Sequence, residues 1–393
     1  MKILFLTYDI PYPLISGGKI RAYYLIKYLS KNHKITLFSY YRNEDQKEYL
    51  EELEKYCGKI FLFKRQKPWG CQNIIRTFLT FLPFPSATYY SAELKRRLIE
   101  ELKKEKYDIV HFESFYPALY LSLVKKMGLK TIMGNENIEW QVYEKYAAQR
   151  VLPLKWLLKI EVWRIRIYEE YLWRLADANI APSQNDAYKI KKITKKECFV
   201  VPNGVDLKSM KFFRKNSGPP TIIFVGTMIY QQNNDAVKYF LKEVYPKVKK
   251  RVPLVKFILI SWYKPTWLKK FLIDSSIEFI QDKETPAYKF FKKADILVAP
   301  VRVAGGTRIK ILEAMAAGLP VVSSKIGVEG IEAEPGKEVI VAGDSDDFAQ
   351  KIASLLENEK MREKISLAGR KLVERFYDWE KIAKKLSKIY EKN

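Results

Sequence analysis

Residues 298–324 read VAPVRVAGGTRIKILEAMAAGLPVVSS. The order of residue types predicts a buried strand over 296–300, a glycine-bearing loop (Ala304, Gly305, Gly306, Thr307), a helix, and a second buried strand over 320–323. Ile309, Ile311, Leu312, Met315 and Ala316 recur at helical spacing, and Gly318 stops the helix ahead of Pro320. Strand, glycine loop and helix in that order bring free backbone N–H groups and the positive end of a helix dipole to one point, an anion site suited to phosphate. Arg308 and Lys310 place two cations in the first turn, where the dipole disfavours them unless an anion is bound. Glu313, one turn on, can accept hydrogen bonds from sugar hydroxyls. The plain alternative is a βαβ unit with a glycine turn; glycine loops alone mislead often, but misplaced cations argue against it.

GGTRIKILEAMAAGLPVVSS resembles the donor-site segment of the family 4 glycosyltransferases, which have the GT-B architecture and move a sugar from a nucleotide diphosphate. The family's pattern is Glu-x7-Glu, with Glu313 as the second Glu. Gly305 stands where the first is expected, and a basic Arg308-x-Lys310 version of the loop accompanies the change, which reads as a subfamily trait. The resemblance implies an α/β GT-B fold of two Rossmann-like doubly wound domains facing across a cleft, the nucleotide sugar (UDP- or GDP-linked) on the second and the acceptor on the first.

At 393 residues the chain is long enough for two cored domains, and 48% hydrophobic with 29% charged residues excludes wholesale disorder. No apolar run reaches the length needed to span a bilayer. MKILFLTYDI reads as a first strand, not a signal peptide. Cys57, Cys71 and Cys198 are scattered and odd in number, which favours a reducing, cytoplasmic setting. His33 and His111 are the two histidines, with no Cys/His cluster, so a protein-held zinc is not expected. The formal charge of +25 suits nucleic acid, an anionic membrane surface or phosphate-bearing substrates. Without an RNA or DNA module, nucleic acid is the least favoured.

Ile3, Leu4, Phe5 and Leu6 open a doubly wound sheet, and Gly17-Gly18 precede a helix carrying Ala22, Leu25, Ile26 and Leu29. A glycine pair at a strand–helix junction lets substrate approach the backbone. It is no Gly-x-Gly-x-x-Gly fingerprint, which disfavours a nicotinamide dehydrogenase. Residues 43–57 read as a charged helix. The basic, aromatic stretch 64–97 suits either a surface that sinks shallowly into lipid headgroups or an ordinary core-forming helix–loop–helix. The long helix predicted over 151–176, with Trp156, Trp163 and Trp173, carries the same two readings. His111, read as ending a strand (108–112), is a candidate acceptor-side acid/base. After the strand 130–133, Glu136 stands where the family often has His, while Asn137 and Glu139 match it; Glu136 is a candidate base. Asn followed by acids also reads as a capped helix start.

Pro202-Asn203-Gly204-Val205-Asp206, frequent at mid-chain in the family, and the polar stretch 213–220 mark the boundary between a first domain (1–200) and a second (201–375), with a C-terminal helix (376–393) crossing back. In the second domain, Gly226-Thr227 follow the first strand, Asn233, Asn234 and Asp235 read as a helix cap, and Gln281 lies where the family reads the nucleotide base. The family's usual cations near Gly226 are absent, which shifts charge neutralisation to Arg308 and Lys310. Asp344-Ser345-Asp346 reads as an N-cap and not a metal site, so no metal is expected.

Expected catalytic residues are thus Arg308, Lys310, Glu136 and His111. Gly226, Thr227, Gln281, Gly305, Gly306, Thr307 and Glu313 are expected to bind donor, and Gly17, Gly18, Asn137 and Glu139 to form an acceptor or phosphate loop. The function expected is hexosyl transfer from a nucleotide sugar to a glycan or lipid-linked hydroxyl acceptor, with retention, without metal or a tightly bound cofactor, and peripheral to an anionic membrane. The alternatives are a nucleotide-sugar epimerase on the same architecture, an inactive transferase-like binding protein, or a basic nucleic-acid binder.

Overall fold

The computed structural model describes residues 1–148, 150–213, 217–282, 285–302 and 309–392. Runs of branched and aromatic residues build two separate, wholly parallel sheets. The first has seven strands: β1 (Lys2–Leu6), β2 (Lys34–Tyr41), β3 (Lys59–Lys64), β4 (Ile109–Glu113), β5 (Thr131–Gly134), β6 (Ala178–Ala181) and β7 (Cys198–Val200), in the order 3-2-1-4-5-6-7. The second has six: β8 (Thr221–Val225), β9 (Lys256–Ile260), β10 (Ile277–Ile280), β11 (Ile296–Ala299), β12 (Val321–Ser324) and β13 (Ile340–Ala342), in the order 10-9-8-11-12-13. The central strands are continuous apolar runs because helices cover both faces; Ile3 sits between Ile35 and Ile109, and Ile222 between Phe257 and Ile296. Each sheet reverses its strand order once, between β1 and β4 and between β8 and β11. Open α/β sheets bind ligands at the carboxyl ends of the strands at such points.

The chain divides into two compact units, Met1–Pro202 with the C-terminal stretch from Ile382, and Asn203–Lys381. Val205, within the Pro-Asn-Gly-Val-Asp stretch, pairs with Asp378 and exchanges backbone bonds with Tyr377 and Trp379. The C-terminal helix Trp379–Lys392 therefore begins in the second unit and finishes in the first.

Local chemistry explains the element ends. The helix Ile309–Ala317 stops at Gly318, whose φ of +85° is the left-handed region; a Cβ there would also press into the Phe212 ring. Asp344 caps the helix Ser345–Glu357 by accepting from the Asp347 N–H at 2.9 Å, as its sequence position suggests. The charged stretch read as one helix over 43–57 is instead a 3-10 turn, Glu44–Tyr49, followed by the short helix Leu50–Glu54. Gln46 reaches back to the N–H groups of Arg42 and Asn43 and tightens that first turn. Among the described residues no helix is long and apolar enough to cross a membrane.

One buried brace ties the first unit together. Arg21, on the helix Gly17–Leu29, donates from Nε to Glu113 Oε1 at 2.6 Å and from Nη1 to the carbonyl of Val201 at 2.8 Å. The other Glu113 oxygen lies 2.6 Å from His111 Nε2, and His111 Nδ1 lies 2.7 Å from the Tyr390 hydroxyl on the C-terminal helix. The His111 ring stacks on Phe5 with centroids 4.4 Å apart. With its proton on Nε2, the ring donates to Glu113 and accepts from Tyr390. Burial alone would raise the Glu113 carboxyl; Arg21, with help from His111, overrides it and holds the group at about 2. Glu113→Gln removes a carboxylate that serves two buried donors and should cost about 3–5 kcal/mol. Tyr390→Phe removes one neutral hydrogen bond and should cost about 1 kcal/mol. Urea unfolding midpoints check the order; equal losses for the two variants would refute it.

Candidate active site

The glycine pair sits at the start of the helix Gly17–Leu29, entered through Ser16 in extended backbone. A Cβ on Gly18 would overlap the Tyr8 hydroxyl and both carboxylate oxygens of Glu136. Glycine is therefore required there because another side chain already fills the space. Glu136 follows β5, so the loop after β1 and the loop after β5 meet at one point. Glu136 Oε1 is buried and takes no hydrogen bond among the described residues. Burial, then the charges of Glu113 and Glu139, push this carboxyl up to about 8, with Arg21 pulling the other way. At neutral pH it is therefore a carboxylic acid with a donor to offer. Beside it, Lys19 lies in the first helical turn, 3.4 Å from Asp9, with both side chains nearly enclosed; burial lowers the ammonium and Asp9 opposes that.

Glu139 is buried and accepts from the Tyr116 hydroxyl at 3.2 Å, and burial raises it to about 7. Asn137 is half-buried and lies two residues before the helix Glu139–Ala148. The cap comes from another element: fully buried Glu169, on the long helix Leu154–Leu175, accepts from the N–H groups of Glu139 (2.9 Å) and Trp140 (3.1 Å). A carboxyl group whose oxygens accept from orphan N–H groups at a helix start satisfies those donors. Burial and the neighbouring Glu139 keep Glu169 well above the ordinary range.

His111 corrects the sequence reading in its placement. It is the third residue of β4 and not its end, its ring is fully buried, and both nitrogens are engaged by Glu113 and Tyr390. Such a ring reaches no crevice; it holds Glu113 in place.

The second unit presents a corresponding arrangement. Gly226 and Thr227 follow β8; the Met228 N–H donates to Ser261 Oγ at 3.1 Å, and Asn233 donates to the Thr227 carbonyl at 2.9 Å. Asn234 likewise donates to the Met228 carbonyl. These asparagines latch the loop and do not cap the helix, which runs Gln231–Tyr239 from Tyr230. Thr227 Oγ1 is buried and makes no hydrogen bond among the described residues. Across the strand reversal, β11 leads toward the helix Ile309–Ala317. Lys310 Nζ lies 3.1 Å from Glu313 Oε2, an ion pair without hydrogen-bond alignment, so that buried oxygen also makes no hydrogen bond among the described residues. Buried polar atoms are nearly always hydrogen-bonded, so each of these oxygens calls for a partner. Gln281, at the end of β10, is exposed and donates to the Trp262 carbonyl at 3.1 Å. Gly305, Gly306, Thr307 and Arg308 lie outside the described residues.

The sequence reading missed Tyr8, Lys19, Glu169 and Ser261. Lys19 carried a legible signal, a cation straight after a glycine pair; the others are defined by contacts distant in sequence.

Two families of known proteins match the chain. The one described as Glycosyltransferase Family 4 matches residues 15–209, and the one described as Glycosyl transferases group 1 matches residues 219–358. A 44.6 kDa protein in the cps region of Klebsiella pneumoniae is 25% identical over 409 residues, covering 100% of both chains. The phosphatidyl-myo-inositol mannosyltransferase of Mycobacterium leprae is 28% identical over 200 residues, 49% of this chain and 52% of its own. The crystal structure of Anabaena HepE in complex with UDP-glucose matches with a TM-score of 0.68 at 14% identity, covering 100% of both chains. The chain belongs to the family 4 glycosyltransferases, and it is a sugar-transferring enzyme of GT-B fold.

Proposed function

We propose that the enzyme takes a uridine diphosphate sugar on its second unit and transfers the sugar, with retention and without a metal, to a glycan or lipid-linked hydroxyl acceptor on its first. Glu313 carries the reading: a buried carboxylate oxygen that makes no hydrogen bond among the described residues, beside a cation, on the helix that follows the strand reversal. In this reading it takes the ribose hydroxyls of the donor. Lys310 together with Arg308 neutralises the diphosphate, and Thr227 Oγ1 offers a further donor. The UDP-glucose bound to HepE supports the uridine nucleotide, and the mannosyl transfer of the Mycobacterium leprae relative supports a lipid acceptor. In the reaction the bond from the sugar carbon to the leaving phosphate breaks, the acceptor oxygen bonds the same face of that carbon, and its proton passes to the departing phosphate. The positive segment lowers the cost of the charge that grows on that phosphate. Glu136, protonated near neutrality, donates to an acceptor oxygen. The site of action is the cytoplasmic face of a membrane, which the protein meets without crossing it.

Calorimetry with uridine and guanosine diphosphate sugars tests the donor. Uridine donors should bind, and Glu313→Ala should weaken them roughly tenfold to a hundredfold, the worth of hydrogen bonds to a charged group. Turnover should survive a chelator unchanged. Absence of binding by every nucleotide sugar, or loss of turnover in the chelator, would reject the reading.

Glu136 gives a pH test with a definite sign. Its carboxyl sits at about 8 in the folded chain against an ordinary 4.5. The folded state therefore holds a proton that the unfolded state has lost between roughly pH 4.5 and 8, and stability falls as pH rises through that window. Glu136→Gln should melt close to the parent at pH 5 and higher by a few degrees at pH 9, a gain of about 1–2 kcal/mol. Parallel melting curves across the range would contradict it.

A further inference from the structure

Two segments of the first unit leave large apolar side chains in solvent, and both lie on one assembly. Arg164, on the long helix Leu154–Leu175, donates to the carbonyls of Thr77 (2.9 Å), Thr80 (3.3 Å) and Leu82 (2.8 Å), and Glu161 accepts from the Phe84 N–H. The Phe81 and Trp163 rings meet with centroids 6.4 Å apart. The long helix has two apolar faces. Ile165, Leu172 and Trp173 are buried against the unit, whereas Trp156, Ile160, Trp163 and Ile167, spaced by four, three and four residues, stand 38–63% exposed. On the segment braced to it, Phe78 and Leu79 are 84% and 81% exposed. An outward apolar stripe at helical spacing has no use in water, and a patch of this extent marks an interaction surface.

Charge selects the occupant. Residues 64–84 contain Lys64, Arg65, Lys67 and Arg76 and no carboxylate; residues 150–160 contain Arg150, Lys155 and Lys159 and no carboxylate. The first acid beyond them, Glu161, is turned inward to Phe84 and Arg164. Lys159 lies over the Trp156 ring at 5.1 Å, so cation and ring share one face. A second copy of the chain would bring like charge against like charge, and interfaces between copies are poor in Lys. An anionic bilayer meets both demands: headgroups pair with the exposed Lys67 and Lys159, Lys64 being paired already with Glu44, and the boundary below them accepts the aromatic and aliphatic tips.

We infer that this braced pair, residues 64–84 and the first half of the long helix, is the face by which the first unit docks on an anionic lipid bilayer, inserting Phe78, Leu79, Trp156, Leu157, Ile160 and Trp163 into its headgroup layer. The inference deepens the membrane part of the proposed function and rests on it.

The full chain is floated with vesicles of phosphatidylcholine alone or with about 30% phosphatidylglycerol. Binding should be at least roughly tenfold tighter to the anionic vesicles, and brominated acyl chains should quench tryptophan fluorescence. The double variant Phe78→Glu with Trp156→Glu should no longer float, while keeping its melting temperature and its affinity for donor. Lys155→Glu with Lys159→Glu should lose roughly thirtyfold in affinity for anionic vesicles. Equal binding to both vesicles, or none, would overturn the inference. So would a concentration-dependent dimer in sedimentation that the Phe78→Glu, Trp156→Glu variant abolishes, which would assign the face to a second copy. Donor calorimetry on the same preparations separates the two claims. Flotation without nucleotide-sugar binding would keep the face and reject the donor site, and binding without flotation would do the reverse.

Discussion

Glu113 is the carboxylate on which the first unit turns. It is the last residue of β4, at the point where the strand order reverses. One oxygen fixes Arg21 and the other fixes His111. Arg21 carries the constraint to the carbonyl of Val201, near where the chain leaves the unit, and His111 carries it to Tyr390. A buried ion pair adds little net stability over apolar packing, since desolvation offsets attraction. What it does here is fix relative position. Arg21 belongs to the helix that begins at Gly17-Gly18, so the brace also sets where the glycine pair stands against Glu136.

The two units reach the same arrangement with different residues. Each has, near the reversal, a buried oxygen that makes no hydrogen bond among the described residues: Glu136 Oε1 in one, Thr227 Oγ1 and Glu313 Oε2 in the other. Each also begins a helix with a lysine held near a carboxylate, Lys19 by Asp9 and Lys310 by Glu313. The difference lies in charge. The first unit gathers Glu113, Glu136, Glu139 and Glu169, with burial pushing all four carboxyls up and Arg21 pulling Glu113 back down. Of these, Glu136 and Glu139 lie nearest neutrality, at about 8 and about 7.

Much of the fold was legible because a parallel sheet writes itself as short apolar runs between helices, and residues 296–324 show the unit whole. The glycine pair and Glu136 were legible as separate positions; that Gly18 must be glycine because of Glu136 was not, since 118 residues separate them. His111 was misplaced because a run of apolar residues does not say where its strand ends. The capping role of Glu169 was invisible for a similar reason: a carboxylate among Tyr, Arg and Trp reads as a solvated face, and only the packing of two helices turns it inward. Lys19 could have been found, since GGKIR at 17–21 repeats the glycine-then-cation order of GGTRIK at 305–310.

The C-terminal helix has a consequence for how the protein is made. Tyr390 completes the Glu113 brace, yet it is synthesised only after the whole of the second unit. Domains generally fold in the order of synthesis, and the second unit, contiguous in sequence, can do so. The first unit is translated first but is completed after the second, its histidine without its tyrosine until the whole of Asn203–Lys381 has been made.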